Sequence, residues 1–460
     1  MKRYLLLLIP LVIILSAALS SCSVGEATRE SELKTSLEDT YEDLSSTFSG
    51  STGQYSLVSE YLKSWANKNE LEITENHEHY MIITNHATEG CEDTESIVLQ
   101  CSVETDNFNN SMQPLAIALS SLLGPERHGN ISLIITENDN GEYIGASSVN
   151  TKYYDTDNFI NIRHNDGLRL YTAGAYEMKS HMSASIDMTS PSYTHAYAIT
   201  MSNSGYKDPY DFENNYPNPI ETIGSLLATE KSSGQLFQLA SFECESQDGY
   251  MPTSATAVVV VDGNDVSSFT KKFNSSYNNV KKKFEKLEDN FVYTLTETSM
   301  PSQVITNQAS DNIISLMYTL HTGIYLQDEE SGDIISSSDV SYVSTSNGAL
   351  NLDMTSRSSD KSVLNEMAAE FLTTSGLCDI NYISSDPVMT WSCSSGSTLS
   401  TFLSDALGAE ESIISSTLES SECDVFYSNR EVNMVSYRCN IHSGDAAMMN
   451  IIHFMESLVK

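Results

Sequence analysis

Polar side chains follow three of the apolar strands that the sequence predicts, and they mark a place where chemistry could occur. Ser102 and Glu104 end a short buried strand, Glu137 and Asn138 follow a second, and Arg163 ends a third. In α/β folds the carboxyl ends of strands carry the chemistry. Ser102 beside Glu104 has no His near it in sequence, which argues against a serine hydrolase. The chain has neither a Gly-rich phosphate loop nor a Cys-x-x-Cys pair.

Two other groups of reactive residue types have simpler interpretations. His77 and His79 would lie on one face of an extended segment, as metal ligands do, but exposed histidines near a turn are the simpler interpretation. Cys423 follows Glu422, as in a reactive pair, although a place in the core or in a disulfide fits the cysteine better.

The composition describes a large, folded and acidic protein. Its 460 residues are enough for two or three domains, and 40% hydrophobic with 19% charged residues exclude a disordered chain. The 62 acidic residues against 24 basic residues give a net charge of −38. Because nucleic acids are bound through basic surfaces, this charge argues against a nucleic-acid partner.

The first 22 residues have the pattern of a lipoprotein signal peptide. Two basic residues precede an apolar run over residues 4–19, and small residues then lead to Cys22. This lipobox predicts an exported protein that is acylated at Cys22 and held at the membrane of a bacterial cell envelope. An ordinary signal peptide or a membrane anchor is the alternative, although the run is short for an anchor. Residues 23–53, acidic and rich in Ser, are expected to form a flexible tether with some helix over 30–44.

Seven cysteines remain after Cys22, and export would permit disulfides. Neighbouring cysteines flank short strand-turn patterns, which favours disulfides between neighbours in sequence. Cys244 would then have no disulfide partner. The pairs expected on this basis are Cys91 with Cys101, Cys378 with Cys393, and Cys423 with Cys439.

Hydrophobic periodicity predicts an α/β fold in which the pattern of helices and strands changes along the chain. Helices and strands alternate at first, from a helix around Trp65 to a strong strand over 131–136. From about residue 178 the pattern becomes that of an α+β domain, which contains a long amphipathic helix from Val266. Residues 396–460 return to helix, strand and helix. The sequence therefore predicts a core interrupted by an inserted domain.

Short motifs lie along the chain in a fixed order. They are Trp65-Ala66-Asn67-Lys68, Ala87-Thr88-Glu89-Gly90, Val98-Leu99-Gln100, Ile135-Thr136-Glu137, Gly249-Tyr250-Met251-Pro252, Glu422-Cys423-Asp424-Val425-Phe426, Met434-Val435-Ser436 and His442-Ser443-Gly444-Asp445. Their order and spacing resemble those of the zinc dipeptidases that cleave Xaa-His and related dipeptides, along nearly all of the exported length. The resemblance implies a zinc-peptidase-like core over 54–177 and 396–460, with a central sheet flanked by helices. It also implies an inserted lid and dimerisation domain over 178–395.

The resemblance also assigns the metal positions, and most of them have changed. Such enzymes hold two zinc ions with His and carboxylate ligands and use a carboxylate as general base. Glu137 falls on the general base, and His442 is the one family ligand that is retained. A hydroxyl, an amide or a guanidinium is a poor zinc ligand. The degenerate ligand positions hold Ser102, Asn109 (or Asn110, because a loop before them is shorter), Asn138 and Arg163.

The loss of ligands leads to three functional hypotheses. In the first, the protein is an inactive, surface-anchored pseudopeptidase without a cofactor, and its relict cleft binds peptides or a protein partner. In the second, a working metallopeptidase holds zinc with a rearranged set of Glu104, Glu137, His442 and Asp139. In the third, the cleft has closed and the role is structural. The resemblance implies a homodimer through the inserted domain as a further partner.

Arg163 is expected to replace the charge of the zinc ions. Buried acids without a cation would be costly, so its guanidinium should pair with Glu104 or Glu137.

Overall fold

The computed structural model describes residues 27–459 apart from 49–53, 106–107, 140, 166, 204, 206, 213–215, 248, 285–290, 408–412 and 415. The predicted signal peptide, Cys22 and the first residues of the predicted tether lie outside these ranges. Within the ranges, no helix has the length and apolar character needed to cross a membrane.

Eight strands form the first sheet. They are β1 Glu72–Asn76, β2 Tyr80–Asn85, β3 Ile97–Glu104, β4 Ile131–Asn138, β5 Asn158–His164, β6 Arg169–Tyr171, β19 Ile413–Ile414 and β20 Met434–Cys439, in the order β1-β2-β4-β3-β5-β20-β6-β19. The four central strands β4, β3, β5 and β20 run parallel to one another. Their apolar runs are buried on both faces, as parallel strands require.

Helices cover both faces of the first sheet. They are α1 over 27–48, α2 Tyr55–Lys68, α3 Phe108–Leu123, α4 Ile144–Ser148, α9 Thr398–Leu407, α10 Glu422–Asn429 and α11 Ile441–Ser457. One apolar cluster joins α1, α2, α3, α9 and α11 to one face, and a second joins α4 and α10 to the other. The central sheet flanked by helices, predicted from the sequence, is confirmed.

Residues 27–48 belong to the folded core and not to a flexible tether. They form α1, and Leu37, Leu44 and Phe48 are buried in the same cluster as α3 and α11. Only the helical part of that prediction, over 30–44, agrees with the structure. The repeated apolar residues of this acidic segment supply the buried stripe of an amphipathic helix.

The second sheet is antiparallel and belongs to the inserted domain. Its strands are β7 Tyr176–Ser185, β9 His195–Ser202, β10 Phe237–Glu245, β11 Ser254–Val261, β12 Val292–Glu297, β14 Gly323–Gln327, β15 Ile334–Ser344, β16 Ala349–Ser358, β17 Asn381–Ser384 and β18 Val388–Met389. The separate pair β8 Met188–Thr189 and β13 Val304–Ile305 and the helices α5 Pro219–Ser232, α6 Val266–Lys283, α7 Asn307–Thr319 and α8 Lys361–Leu377 complete the domain. The chain leaves the first sheet after β6 and contributes to its apolar cluster again at Trp391.

Side chains cap two of these helices. The side chain of Asp360 accepts a hydrogen bond from the Ser362 amide at 2.8 Å and so caps α8. Asn440 is the N-cap of α11, and Ser443 closes a capping box with it.

The predicted disulfides are not supported, because all seven cysteines after Cys22 are free thiols in the structure. Cys423 lies in α10 on one face of the first sheet, whereas Cys439 of β20 faces the other. Cys378 packs in the inserted domain and Cys393 against the core. The Sγ of Cys91 accepts a hydrogen bond from an arginine side chain at 3.5 Å. The free thiols are Cys91, Cys101, Cys244, Cys378, Cys393, Cys423 and Cys439.

Candidate functional site

Four parallel strands bring most of the predicted site residues to one edge of the first sheet. Glu104 of β3 lies beside Asn138 of β4, and Arg163 of β5 lies beside Arg438 of β20. Side chains alternate along a strand, so Ser102, Asn138, Arg163 and Arg438 share the face that α4 and α10 cover. The strand residues that the sequence resemblance assigns to metal-ligand positions therefore form one polar row together with Arg438.

A chain of hydrogen bonds between four buried side chains crosses the same strands one row deeper. Ser436 Oγ donates to Asn161 Oδ1 at 2.7 Å, and Asn161 Nδ2 donates to Gln100 Oε1 at 2.5 Å. Gln100 Nε2 donates in turn to Thr136 Oγ1 at 3.0 Å. Gln100, Thr136 and Ser436 come from motifs that carry the resemblance, and the four side chains tie four strands together without a metal.

Arg163 pairs with Glu422 of α10, and not with Glu104 or Glu137 as expected. Its Nη1 donates to the carbonyl oxygen of Ser420 at 3.0 Å, and its Nε lies 3.8 Å from Glu422 Oε2. The Glu422 side chain is fully buried, and that of Arg163 is 17% exposed. Burial alone would lower the pKa of Arg163, but Glu422 above all, with Glu104 among the weaker contributors, raises that pKa above its ordinary value. The guanidinium is therefore a permanent cation at a position where the sequence resemblance expects a metal ligand.

Arg357 of β16 extends this arrangement into the inserted domain. Its Nε and Nη2 donate to Glu177 Oε2 of β7 at 2.9 and 2.8 Å. Its Nη1 donates to the carbonyl oxygen of Leu418 at 3.1 Å and to Ser420 Oγ at 3.0 Å. The guanidinium also lies 4.9 Å from the centre of the Tyr210 ring. Arg357 thus joins the second sheet to the loop before α10.

Arg438 completes what we call the arginine–carboxylate cluster. It forms an ion pair with Glu419, and its guanidinium lies 4.4 Å from the centre of the Tyr171 ring. Burial acts to raise the pKa of Glu419, but Arg438 and Arg163 lower it below its ordinary value. The members of the cluster are Arg163, Arg357, Arg438, Glu177, Glu419, Glu422 and Asp424.

The cluster fills the junction between the two sheets. Asp208 of the inserted domain accepts a hydrogen bond from the Ser420 amide at 2.9 Å, and Tyr250 donates to the carbonyl oxygen of Gly141 at 2.6 Å. A cavity of about 20 Å³ beside Arg357 is lined by residues of the inserted domain, among them Glu177, Tyr210 and Tyr250. That volume has room for a water molecule but not for a dipeptide.

Glu137, which the sequence resemblance assigns as the general base, is held by a histidine. Its Oε2 lies 2.6 Å from Nδ1 of His79, and both side chains are mostly buried. His77 is exposed, as the simpler interpretation of the two histidines expected, whereas His79 is partly buried. The neighbouring Asn138 is buried, and its Oδ1 accepts a hydrogen bond from the Tyr143 amide at 3.3 Å.

The two predicted ligand positions on helices lie apart from this row. Asn109 is exposed in the first turn of α3, and His442 is exposed in the first turn of α11. Both helices pack on the other face of the first sheet. Asp139, a member of the rearranged set, accepts a hydrogen bond from Thr105 Oγ1 at 2.5 Å.

The side chains of this region do not fit the two zinc ions that the sequence resemblance implies. Across the described part of the chain, no group of three or more His, Cys, Asp and Glu side chains could hold a metal ion. The row contributes a hydroxyl, an amide and two guanidinium groups, which are poor zinc ligands. Glu104, Glu137, His442 and Asp139 do not form such a group either.

Comparison with solved structures identifies the fold. The chain superimposes on the aminoacylhistidine dipeptidase of Vibrio alginolyticus with a TM-score of 0.52 and 16% identity, over 87% of this chain and 92% of that one. A tripeptidase of Staphylococcus aureus gives a TM-score of 0.47 and 13% identity, over 93% of this chain and 98% of that one. The aminopeptidase PepT of Bacillus cereus gives a TM-score of 0.48 and 10% identity, over 93% of this chain and 99% of that one. No protein-family model and no curated protein matches the sequence. The chain therefore has the fold of a dipeptidase, at a low level of sequence identity.

Proposed function

We propose that this protein is a divergent, surface-anchored member of the dipeptidase family that acts by binding and not by hydrolysis. The observation that carries the proposal is the pairing of Arg163 with buried Glu422 at a former zinc-ligand position. A guanidinium there supplies a positive charge but cannot bind a metal or activate water.

The remaining catalytic features also favour an inactive protein. Glu137 can act as a general base only if its carboxylate reaches a water molecule, and its Oε2 is bonded to His79.

The metal content of the full chain tests this proposal. The protein is purified in a mild detergent, dialysed against zinc and then against buffer, and its bound zinc is counted by mass spectrometry. We expect well under one zinc ion per chain, no hydrolysis of Xaa-His dipeptides, and the same results for His442→Ala. One or two zinc ions per chain that are lost in His442→Ala would overturn the proposal and support a metallopeptidase with a rearranged site.

Anchoring rests on the sequence pattern before Cys22 and needs a test of its own. Cells that express the Cys22→Ser variant should release the protein from the membrane fraction, whereas Cys91→Ser should leave its distribution unchanged. Equal fractionation of Cys22→Ser and the parent chain would contradict a lipid anchor at Cys22.

A further inference from the structure

The helix α6 of the inserted domain concentrates positive charge in an acidic chain. Its 18 residues contain no acidic residue, whereas the whole chain has 62 acidic residues and a net charge of −38. The same helix holds five of the 24 basic residues of the chain. They are Lys271, Lys272, Lys281, Lys282 and Lys283, and we call their side chains the basic face of α6.

The basic face covers the side of the helix that is turned to solvent. Phe269, Phe273 and Val280 are buried in the apolar cluster of the inserted domain and define the inner side. At about 100° per residue, Lys271 and Lys282 lie opposite to that side, and the other three lysines flank them. Four of the five lysines are exposed, and they extend over about 18 Å of helix. The charges therefore form a continuous strip on the outside of the domain.

The ammonium groups of this strip are not neutralised by acids. Among the described residues, no ion pair involves a lysine of α6. Two of the lysines lie over aromatic rings of the helix instead, at 5.1 Å from the centre of Tyr277 for Lys281 and 5.0 Å from that of Phe284 for Lys283. The strip can therefore attract an anionic partner.

The proposed lipid anchor would hold the folded body close to a bilayer. Four residues separate Cys22 from residue 27, where the described part of α1 begins. Even a fully extended chain from Cys22 to Ala27 spans at most about 18 Å. Because Leu37 and Leu44 pack α1 into the core, this helix does not lengthen the connection. A body held so closely turns one of its faces to the membrane.

A bilayer that contains anionic lipid fits the basic face better than a soluble polyanion does. A lysine near such a surface contributes about 1 kcal/mol, within a Debye length of about 8 Å. Five such contributions are modest for a free protein with a net charge of −38. An anchored protein is already at the surface, so the same contributions need only select an orientation. Since the apolar side of α6 is buried, the helix would lie on the headgroups without insertion.

We propose that the basic face of α6 lies on the anionic headgroups of the membrane and sets the orientation of the inserted domain. The inference rests on the proposed anchor at Cys22 and gives the anchored protein a second contact with the bilayer. The acidic surfaces elsewhere on the chain are repelled by the same headgroups, which favours this one orientation.

Chemical footprinting of the anchored full chain tests the contact. The protein is purified in a mild detergent and added to vesicles of phosphatidylcholine, alone or mixed with an equal part of phosphatidylglycerol. A membrane-impermeant reagent then acetylates lysines, and mass spectrometry measures the rate at each one. We expect Lys271, Lys281 and Lys282 to react at least about threefold more slowly on the anionic vesicles. Lys68 and Lys361, exposed on α2 and α8, should react equally on both.

The position of Lys271 and the salt concentration separate a headgroup contact from other causes of protection. Three acids, Glu285, Glu288 and Asp289, follow Lys283 in the sequence. Lys271 lies about 18 Å along the helix from Lys283, so its protection reports on the helix itself. The protection should disappear at about 1 M salt, where the Debye length is about 3 Å.

Two sets of substitutions at exposed positions test the charge directly. The outer triple variant carries Lys271→Gln, Lys281→Gln and Lys282→Gln. The matched control variant loses the same charge elsewhere and carries Lys68→Gln, Lys152→Gln and Lys361→Gln. On anionic vesicles, Lys283 should be protected in the parent chain and in the control variant. In the outer triple variant it should react as fast as on neutral vesicles.

Flotation of the same samples distinguishes the contact from the anchor. Protein that floats with both kinds of vesicle, while the lysines of α6 react equally on both, would overturn the contact and leave the anchor in place. Protein that floats only with the anionic vesicles would contradict the anchor and support the contact. Flotation with neither would overturn both.

Two further results would overturn the membrane contact. One is protection of Lys283 that persists in the outer triple variant. The other is protection that appears without vesicles and grows with protein concentration, which would assign the basic face to a second copy of this acidic chain.

Discussion

Nε of Arg163 lies 3.8 Å from Oε2 of Glu422, so a guanidinium faces a fully buried carboxylate at the end of β5. The oxygens of Glu422 have no hydrogen-bond partner among the described residues, and Arg163 is the cation closest to them in the ion pairs of the cluster. An isolated carboxylate at such a place would be costly. Arg163 supplies the positive charge that the buried Glu422 carboxylate needs. The acid can therefore be buried beside strands that do not present a set of zinc ligands.

Replacement of Arg163 by alanine should destabilise the protein strongly. Breaking a buried ion pair leaves an uncompensated charge and costs about 3–5 kcal/mol. We expect a clear fall in the midpoint of thermal unfolding, measured by calorimetry, and a partial recovery when Glu422→Gln is added. Arg430→Ala, which removes an exposed ion pair with Asp155, should cost at most about 1 kcal/mol. An Arg163→Ala protein as stable as Arg430→Ala would contradict the role of the pair.

The hydrogen-bond chain across the central strands should be equally sensitive. Asn161→Ala removes the central member and leaves Gln100 Oε1 and Ser436 Oγ without their partner. Each unsatisfied buried group costs about 1–3 kcal/mol. Urea unfolding should therefore show a much lower midpoint, whereas Asn264→Ala on an exposed turn should change it little. If both variants unfold at the same urea concentration, the chain of bonds does not stabilise the core.

Strand ends and layers could be predicted from the sequence because apolar runs of four to eight residues specify buried strands. The row of Ser102, Asn138 and Arg163 follows from alternation along three such strands. The partner of Arg163 could not be predicted, since Glu422 is distant in sequence and only the packing of α10 brings it near.

Arg357 and α1 show two other features that were hard to predict from the sequence. Arg357 lies in a strand with an alternating pattern, and nothing in the sequence shows that its guanidinium is buried, because the loop before α10 that covers it is distant in sequence. Residues 27–48 are acidic and rich in Ser and Thr, yet Leu37 and Leu44 have a helical spacing that buries them. Composition favoured a tether, and periodicity was the better guide.

Arg357→Lys should loosen the connection between the two sheets. A lysine cannot reproduce the bonds of the planar guanidinium to Glu177, Leu418 and Ser420. We expect faster hydrogen exchange of the backbone amides in the loop around Ser420, with little change in the helices of the inserted domain. Lys231→Ala, which breaks an ion pair with Asp311 inside that domain, is the control. Unchanged exchange at Ser420 would show that Arg357 does not fasten the junction.

Glu230 provides a test of how burial affects stability as the pH changes. Burial raises the pKa of Glu230 from its ordinary value of 4.5 to about 8, although nearby Lys272 opposes the shift. The folded state therefore holds a proton that the unfolded chain has already lost, so the free energy of unfolding should fall as the pH rises from about 4.5 to about 8. Asp339, with its own raised pKa, contributes a slope of the same sign.

Glu230→Met should remove the contribution of this one group. Both oxygens of Glu230 lack a hydrogen-bond partner among the described residues, so an apolar side chain of similar length should stabilise the fold by about 1–3 kcal/mol near pH 8. The gain should shrink at pH 5, where the acid is neutral in the folded state. Glu366→Met, at an exposed position of α8, should change stability by about 0.5 kcal/mol or less at either pH. A gain in Glu230→Met that is equal at pH 5 and pH 8 would mean that packing, and not the charge of Glu230, determines its effect.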